Sequence, residues 1–231
     1  MTTVNIHRSW KRRVQCFGAA LLAMSMLAGC GTSPTANQAE SESTEENLVL
    51  MEETLPQTLT SYSPCFRKEK GAHGIEERGV YRIHQFEKQE MVVVCKPEDS
   101  MMWYDKLWKN TVDLFRSMDI PVRTLECCSG DLADLKVKSV DVEAWSPRQK
   151  KYFEVGSCSN LGDAQARRLK IRVNGEDGKK YLAHTLNNTV VAPPRMLIAF
   201  LENNLNADGT VSIPEVLRMY MGGKEKLVPK H

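Results

Sequence analysis

FRKEKGAHGIEERGVYRIHQFEKQE, residues 66–90, is a charged stretch in which glycines separate two extended segments. The residues before Gly71 have an extended pattern, and Val80 to Phe86 have the two-residue period of a β-strand. We therefore predict two antiparallel strands over residues 62–86, joined by a loop at 70–79. Loops of this kind usually carry contacts rather than core side chains.

The composition is that of a soluble globular protein with one main domain. Of the 231 residues, 26% are charged and 42% are hydrophobic, which is enough to form one sizeable core. The 31 Lys and Arg residues nearly balance the 29 Asp and Glu residues, so the net charge is only +2. Charge alone therefore gives little reason to expect wholesale binding of nucleic acid.

The first thirty residues have the features of an export signal. A basic segment precedes the apolar run CFGAALLAMSMLAG, which is too short to span a bilayer but suits the hydrophobic region of a signal peptide. The run ends in LAGC at residues 27–30, which resembles the lipobox of bacterial lipoproteins, where the cysteine is lipidated. We predict a lipoprotein-type signal segment at 1–30 with lipidation at Cys30. The alternative is a fortuitously hydrophobic N-terminus.

A polar tract follows, and we predict a flexible tether at 31–50 and a folded domain at 51–231. Cysteine usage in that domain does not suit export, because the number is odd and the spacing fits no zinc site. The cysteines concerned are Cys65, Cys95, Cys127, Cys128 and Cys158.

The domain mixes strands and helices, and its strands lack regular intervening helices, which favours an α+β fold with an antiparallel sheet flanked by helices. Strands are predicted at 90–96, 122–128, 139–145, 151–157 and 181–187, and helices at 97–118, 162–171 and 193–205. The helix at 97–118 has one apolar face, which we expect to be core. That face comprises Met101, Tyr104, Trp108, Val112, Phe115 and Met118.

Arg67 and Phe86 lie on the two strands of the opening stretch and suit a nucleotide. A guanidinium holds phosphate at two points, and an aromatic face can stack on a base. A P-loop motif is absent from the sequence. Taken singly, each of these residues also suits an ordinary structural role: Arg67 and Glu69 could form a surface ion pair, and Phe86 could be core. Glu154 could likewise be an exposed strand residue.

Several ordered motifs carry a specific resemblance. CFRKEKG and RGVYRIHQFEKQE are similar to motif 2 of the class II aminoacyl-tRNA synthetases in its seryl-tRNA synthetase form. The segments at 127–168 and 184–223 resemble the rest of that catalytic domain through motif 3. The resemblance covers roughly residues 51–226, and the order of the motifs makes it specific.

The resemblance implies roles for individual residues. It implies that Arg67 holds the α-phosphate of ATP, that Arg195 lies near the γ-phosphate, and that these two are the catalytic residues. The implied ATP-binding residues are Arg67, Glu69, Phe86, Glu154, Ser157 and Arg195. The implied serine-binding residues are Glu90, Asn187 and Thr189, and Glu154 is the implied ligand of Mg²⁺.

The implied activity is that of a serine–tRNA ligase, which forms seryl-adenylate from ATP and serine and transfers the seryl group to the acceptor end of tRNA(Ser). Members of the family are homodimers and cytoplasmic. The tRNA-binding arm, motif 1 and the Thr-x-Glu segment are not recognisable here, so we expect a catalytic domain that is incomplete at its N-terminus, with tRNA charging impaired more than ATP binding. The alternative is a membrane-anchored lipoprotein, tethered through Cys30, that retains a non-catalytic nucleotide- and amino-acid-binding synthetase fold.

Overall fold

Strands dominate the computed structural model, which describes residues 49–69 and 79–230. In chain order the strands of this part are β1 (Val49–Met51), β2 (Gln57–Phe66), β3 (Gln85–Cys95), β4 (Val122–Glu126), β5 (Lys138–Ser146), β6 (Lys151–Asn160), β7 (Arg172–Asn174), β8 (Lys180–Leu182), β9 (His184–Val191), β10 (Val211–Ser212) and β11 (Lys226–Leu227). The helices are α1 (Ser100–Ser117), α2 (Ala164–Leu169), α3 (Pro193–Asn204) and α4 (Glu215–Arg218). All of the described residues belong to one compact unit. The predicted signal segment with Cys30, most of the tether and most of the loop at 70–79 lie outside them.

The main sheet has six strands in the order β2-β3-β9-β6-β5-β4, and every neighbouring pair is antiparallel. This confirms the predicted antiparallel α+β fold. Strands β2 and β3 pair from Gln57 opposite Val94 to Phe66 opposite Gln85. The predicted pairing of the two strands around the charged loop is therefore present, and it extends beyond the predicted bounds on the side away from the loop.

A smaller sheet joins β1, β7 and β8, with β1 parallel to β7 and β7 antiparallel to β8. Strand β1 begins at Val49, two residues before the expected start of the folded domain at 51. Val49 and Leu50, which fall within the predicted tether, are thus paired with Arg172 and Val173 of β7.

Helices α1 and α3 pack against one face of the main sheet. A single buried cluster contains Phe115 of α1, Val142 of β5, Val155 of β6 and Ala199 of α3. Burying such side chains contributes roughly 1.5–3 kcal/mol each for the larger residues, and it fixes this face as the core. The opposite face of the sheet is consequently left for polar side chains.

The predicted helix with one apolar face is α1, and most of that face is buried. Its buried members are Tyr104, Val112, Phe115 and the residue after the helix, Met118. Met101 is instead 43% exposed, and its sulfur accepts a hydrogen bond from the amide of Asn160 at 3.6 Å. The buried stripe therefore starts at Tyr104, one turn later than predicted.

Strand β3 starts at Gln85 and not at Val80 as predicted. Side-chain contacts account for the difference. The Tyr81 ring packs edge-on against Phe153 at 5.8 Å between centroids, and Arg82 forms an ion pair with Glu69. These contacts hold the segment from 79 to 84 in turns and bends beside the sheet.

The predicted strand at 181–187 is divided in two at Ala183. Strand β8 pairs with β7 in the small sheet, whereas β9 pairs with β3 and β6 in the main sheet. Ala183 is fully buried at the point where the chain passes from one sheet to the other. The sequence therefore shows one continuous strand pattern, although the structure has two strands.

In the described part of the chain, helices of the length and apolar character needed to cross a membrane are absent.

Candidate functional site

A cavity of about 260 Å³ lies on the polar side of the main sheet, beside β3, β6, β9 and the start of α3. Its wall brings together all six residues for which the resemblance implies ATP contacts: Arg67, Glu69, Phe86, Glu154, Ser157 and Arg195. They come from four separate parts of the chain. Their grouping is a finding of the structure, and their roles in binding stay predictions.

An extra residue in β6 places Glu154 and Ser157 on the same side of the sheet. Glu154 lies opposite Glu143 of β5 and Ser157 opposite Asp141, whereas Val155 between them has no partner in the ladder. Side chains alternate along a strand, so residues three apart would normally point to opposite faces. The β-bulge at Val155 corrects this and turns both oxygen-bearing side chains towards the cavity.

Gly156 allows β6 to approach β9 closely at this point. A Cβ atom on Gly156 would lie 2.7 Å from the backbone oxygen of Thr189. Thr189 is itself buried and contributes to the wall of the cavity. A glycine is thus required here by contact with backbone.

Arg67 and Phe86 meet at the open end of the β2–β3 pair. The guanidinium of Arg67 lies 5.4 Å from the centroid of the Phe86 ring, within the range of a cation–π contact. Arg67 is exposed, and no other described residue forms an ion pair with it. The pair therefore combines an aromatic face with a guanidinium whose charge is not neutralised by the described part of the protein.

Glu69 is held by Arg82, a residue to which the sequence pattern assigns no role. Arg82 Nη1 donates to Glu69 Oε2 at 2.8 Å, and both side chains line the cavity. Glu69 has a φ of 47°, in the left-handed region that non-glycine residues seldom adopt. The only sequence signal for Arg82 is its place in the strand-like segment before Phe86, which gives no indication of its ion pair.

Arg195 connects α3 to β6. Its Nη1 lies 3.0 Å from the Glu154 carboxylate and also donates to the Glu154 carbonyl oxygen at 3.2 Å. The same guanidinium lies 4.5 Å from the centre of the Tyr81 ring. The two prolines at the start of α3 are tolerated because the first N–H groups of a helix have no partner within it. The helix thereby begins next to the cavity and presents Arg195 in its first turn.

The three residues implied to bind serine lie on neighbouring strands. Asn187 Nδ2 donates to Glu90 Oε1 at 2.9 Å, and Glu90 lies opposite Thr189 in the β3–β9 ladder. A second irregularity, at Val190, adds one residue to β9 between the partners of Gln89 and Glu90. Of the three, Thr189 is part of the cavity wall, whereas Glu90 and Asn187 lie beside it.

Positive charge prevails in the wall of the cavity. Four cationic side chains, Arg67, Arg82, Lys88 and Arg195, stand against two carboxylates, Glu69 and Glu154. Such an excess attracts an anionic ligand, and arginine is well suited to phosphate. The cavity thus matches a polyphosphate better than a cation.

Burial affects the titration of groups near the cavity. Burial, and then the negative charge of Glu154, raise the pKa of Asp141, which lies opposite Ser157 in the ladder. Burial also raises the pKa of the Cys158 thiol to about 12. A thiol of this kind is protonated at neutral pH and is a poor nucleophile.

The residues present fit a magnesium ion bound together with phosphate. Within residues 49–69 and 79–230, there is no group of three His, Cys, Asp or Glu side chains that could hold a metal ion. Mg²⁺ usually needs only one or two carboxylates, because substrate phosphates and waters complete its shell. Glu154 and Ser157, on one face of β6, would hold it, and the ion would supply positive charge to the phosphate oxygens.

Comparison with known proteins identifies the family. A family model described as the tRNA synthetase class II core domain (G, H, P, S and T) matches residues 32–204. The serine–tRNA ligase of Picrophilus torridus is 47% identical over 178 residues, which are 77% of this chain and 40% of that protein. The serine–tRNA ligase of Methanospirillum hungatei is 45% identical over 181 residues, which are 78% of this chain and 43% of that protein.

Two solved structures agree with this result. Seryl-tRNA synthetase from Pyrococcus horikoshii, complexed with ATP, superposes with a TM-score of 0.76 and 44% identity, covering 81% of this chain and 42% of that chain. Cytoplasmic serine–tRNA ligase from Naegleria fowleri, in complex with AMP, gives a TM-score of 0.74 and 38% identity over 81% of this chain and 44% of that chain. The chain thus spans about two fifths of the length of the relatives it matches. The resemblance to seryl-tRNA synthetases is confirmed, and the chain belongs to the family of class II tRNA synthetase core domains.

Proposed function

We propose that the chain activates serine with ATP to form seryl-adenylate and transfers the seryl group to the acceptor end of tRNA(Ser). The observation that carries the proposal is the grouping of Arg67, Phe86, Glu154 and Arg195 in one cavity with an excess of positive charge. The similarity to serine–tRNA ligases supports serine as the amino acid and tRNA(Ser) as the acceptor.

The first step asks for positioning and charge neutralisation more than for covalent participation by the protein. A carboxylate oxygen of serine attacks the α-phosphorus, and the bond between that phosphorus and the bridging oxygen of pyrophosphate breaks. Arg67 would hold the α-phosphate and Arg195 the γ-phosphate, so that charge on the transferring group is stabilised as it develops. Phe86 would hold the adenine ring by stacking.

The amino-acid end of the site suits a small polar side chain. Glu90, Asn187 and Thr189 together offer a carboxylate, an amide and a hydroxyl on two adjacent strands. A site built to hydrogen-bond a substrate hydroxyl rejects analogues without it, because its own buried polar groups would then lose their partner. We therefore assign serine to this end of the site.

Serine-dependent exchange of labelled pyrophosphate into ATP tests the proposal on the full chain. We expect exchange by the wild-type protein and a loss of at least about a hundredfold in Arg67→Ala, in line with the removal of one charge-stabilising donor. Arg172→Ala is the matched control, since Arg172 is an exposed arginine of β7 in the small sheet. A wild-type chain without exchange at any serine concentration would contradict the proposed activity. Retained binding of an ATP analogue in that case would favour the non-catalytic binding fold.

The acceptor and the assembly belong to the same proposal. Transfer to tRNA(Ser) would be measured as serine-dependent acylation of that tRNA, which does not follow automatically from adenylate formation. Sedimentation equilibrium would show whether the chain forms the homodimer implied by the resemblance. A chain that performs exchange but leaves tRNA(Ser) uncharged would restrict the function to the first step.

The LAGC sequence at 27–30 supports a separate proposal about location. We propose lipidation at Cys30, which would anchor the protein to a membrane. Expression in a bacterial host with labelled palmitate should label the wild type and leave Cys30→Ala unlabelled. An unlabelled wild type would favour the cytoplasmic location that the resemblance implies.

A further inference from the structure

We propose that Lys88 forms an ion pair with Glu90 in the free protein and that the ammonium group of the incoming amino acid displaces Lys88 from this carboxylate. On release, its charge becomes available to the nucleotide cavity, so that binding of the amino acid strengthens binding of ATP. This inference rests on the proposed function of the same site, and it assigns to Lys88 the coupling between the two substrates.

The geometry places Lys88 between the two parts of the site. Lys88 Nζ lies 3.0 Å from Glu90 Oε2, and the two side chains are only 22% and 16% exposed. Lys88 lines the nucleotide cavity, whereas Glu90 does not. Glu90 Oε2 is fully buried and makes no well-aligned hydrogen bond, so the ammonium of Lys88 is its close charged neighbour. A ligand that binds this oxygen must therefore move Lys88.

The rest of Glu90 is held in place without Lys88. Its other carboxylate oxygen accepts the hydrogen bond from Asn187, and its backbone oxygen accepts one from Thr60 Oγ1 at 2.9 Å. Glu90 can thus keep its position while its cationic partner is exchanged. Lys88, by contrast, is attached through a flexible four-carbon chain with many rotamers.

The negative charge of Glu90 determines which ligand group can replace the Lys88 ammonium beside it. Leaving a mostly buried carboxylate without a cation is strongly unfavourable, so the departing ammonium has to be replaced by another positive group. A neutral hydroxyl forms a weaker hydrogen bond than an ammonium and leaves the charge unbalanced. A zwitterionic amino acid can make the replacement, whereas the same molecule without its amino group cannot.

The released ammonium stays at the wall of the cavity, where Arg67 also lies. Adenylate formation brings a carboxylate and a triphosphate together, and a further cation reduces the repulsion between these two negative groups. If amino acid binding tightens ATP binding in this way, ATP must tighten amino acid binding by the same factor.

Calorimetric titration of the full chain tests the proposal, using L-serine and an ATP analogue with a methylene bridge between the α- and β-phosphates. For the wild type we expect saturating serine to lower the Kd of the analogue by about fivefold or more, the lower end of typical coupling between sites. We expect 3-hydroxypropionate, which is serine without its amino group, to leave that Kd unchanged. For Lys88→Met we expect serine alone to bind more tightly than to the wild type, and the effect of serine on the analogue to disappear.

Two further variants separate the role of Lys88 from general effects. Lys88→Arg keeps a cation and should retain the coupling, and Lys109→Met, at an exposed position of α1, should behave as the wild type. Circular dichroism would show that each variant is folded, and Lys88→Gln would replace Lys88→Met if the latter is not. Unchanged coupling in both uncharged variants at position 88, or coupling by 3-hydroxypropionate as strong as by serine, would overturn the inference while leaving the proposed function intact. A wild-type chain that binds neither ligand would overturn both.

Discussion

The backbone oxygen of Thr189 lies so near Gly156 that a Cβ atom on this glycine would come within 2.7 Å of it. Backbone cannot move aside as the end of a side chain can, so the contact between β6 and β9 depends on the missing methyl group. Both strands contribute to the cavity at this level, through Ser157 and Thr189.

Gly156→Ala should therefore separate β6 from β9 and lower the free energy of unfolding by about 1–3 kcal/mol, the usual cost of overpacking. Chemical denaturation would measure the loss. Gly130→Ala is the matched control, because a Cβ atom at Gly130 has no heavy atom within 4 Å. Equal stability of the two variants would show that the strands can adjust to a methyl group.

Phe86→Leu should weaken binding of the ATP analogue about fivefold or more, because stacking of a base on an aromatic side chain contributes roughly 1–3 kcal/mol. Phe86→Tyr keeps the aromatic face and should bind the analogue nearly as the wild type does. Calorimetry with the analogue and with inorganic triphosphate would separate the base from the phosphates, since triphosphate affinity should not change in either variant. A parallel loss of triphosphate binding would indicate that Phe86 acts by holding Arg67.

Arg195→Ala should reduce kcat/KM for ATP in the exchange reaction by about 10²–10³, the range for removal of one charge-stabilising group. The same substitution also frees the Glu154 carboxylate from its 3.0 Å ion pair. Arg148→Ala is a suitable control, because Arg148 pairs with Glu202 at 2.8 Å elsewhere in the structure. If Arg195→Ala and Arg148→Ala had the same small effect, Arg195 would have only a structural role.

His184→Gln should make stability less dependent on pH. Burial lowers the pKa of His184 below its ordinary value of 6.5, and its Nδ1 is buried without a hydrogen bond. As the pH falls through about 6.5, the unfolded chain takes up a proton that the folded chain resists, so stability is lost on acidification. The unfolding free energy of the variant should thus fall less steeply between about pH 7 and about pH 5.5. Parallel curves for variant and wild type would contradict this.

The motifs in the sequence are sufficient to predict the fold class and the grouping of the residues for which the resemblance implies ATP contacts. The period of α1 places its buried face, because side chains three and four residues apart share one side of a helix. The β2–β3 pair is evident because glycines and charges separate its two strands. Arg67 and Phe86 can be placed together on that basis alone.

Other features depend on cross-strand partners and are not visible in the sequence. The break at Ala183 arises because the two halves of one apolar pattern pair in different sheets. The ion pairs of Arg82 and Lys88 depend on where Glu69 and Glu90 point, which a strand pattern does not specify. The start of β3 is not visible in the sequence either. Tyr81 packs against Phe153 and not in the strand, so β3 begins at Gln85.

The unpaired Val155 also predicts how the site responds to the loss of a single codon. Glu154 and Ser157 lie opposite Glu143 and Asp141, which are two residues apart, so deletion of Val155 would leave a regular ladder with both side chains still on one face of the sheet. The cost of the deletion would fall on the hydrophobic core, which would lose the buried side chain of Val155. We therefore expect natural deletions at this position to lower stability and to keep the two oxygen-bearing side chains together.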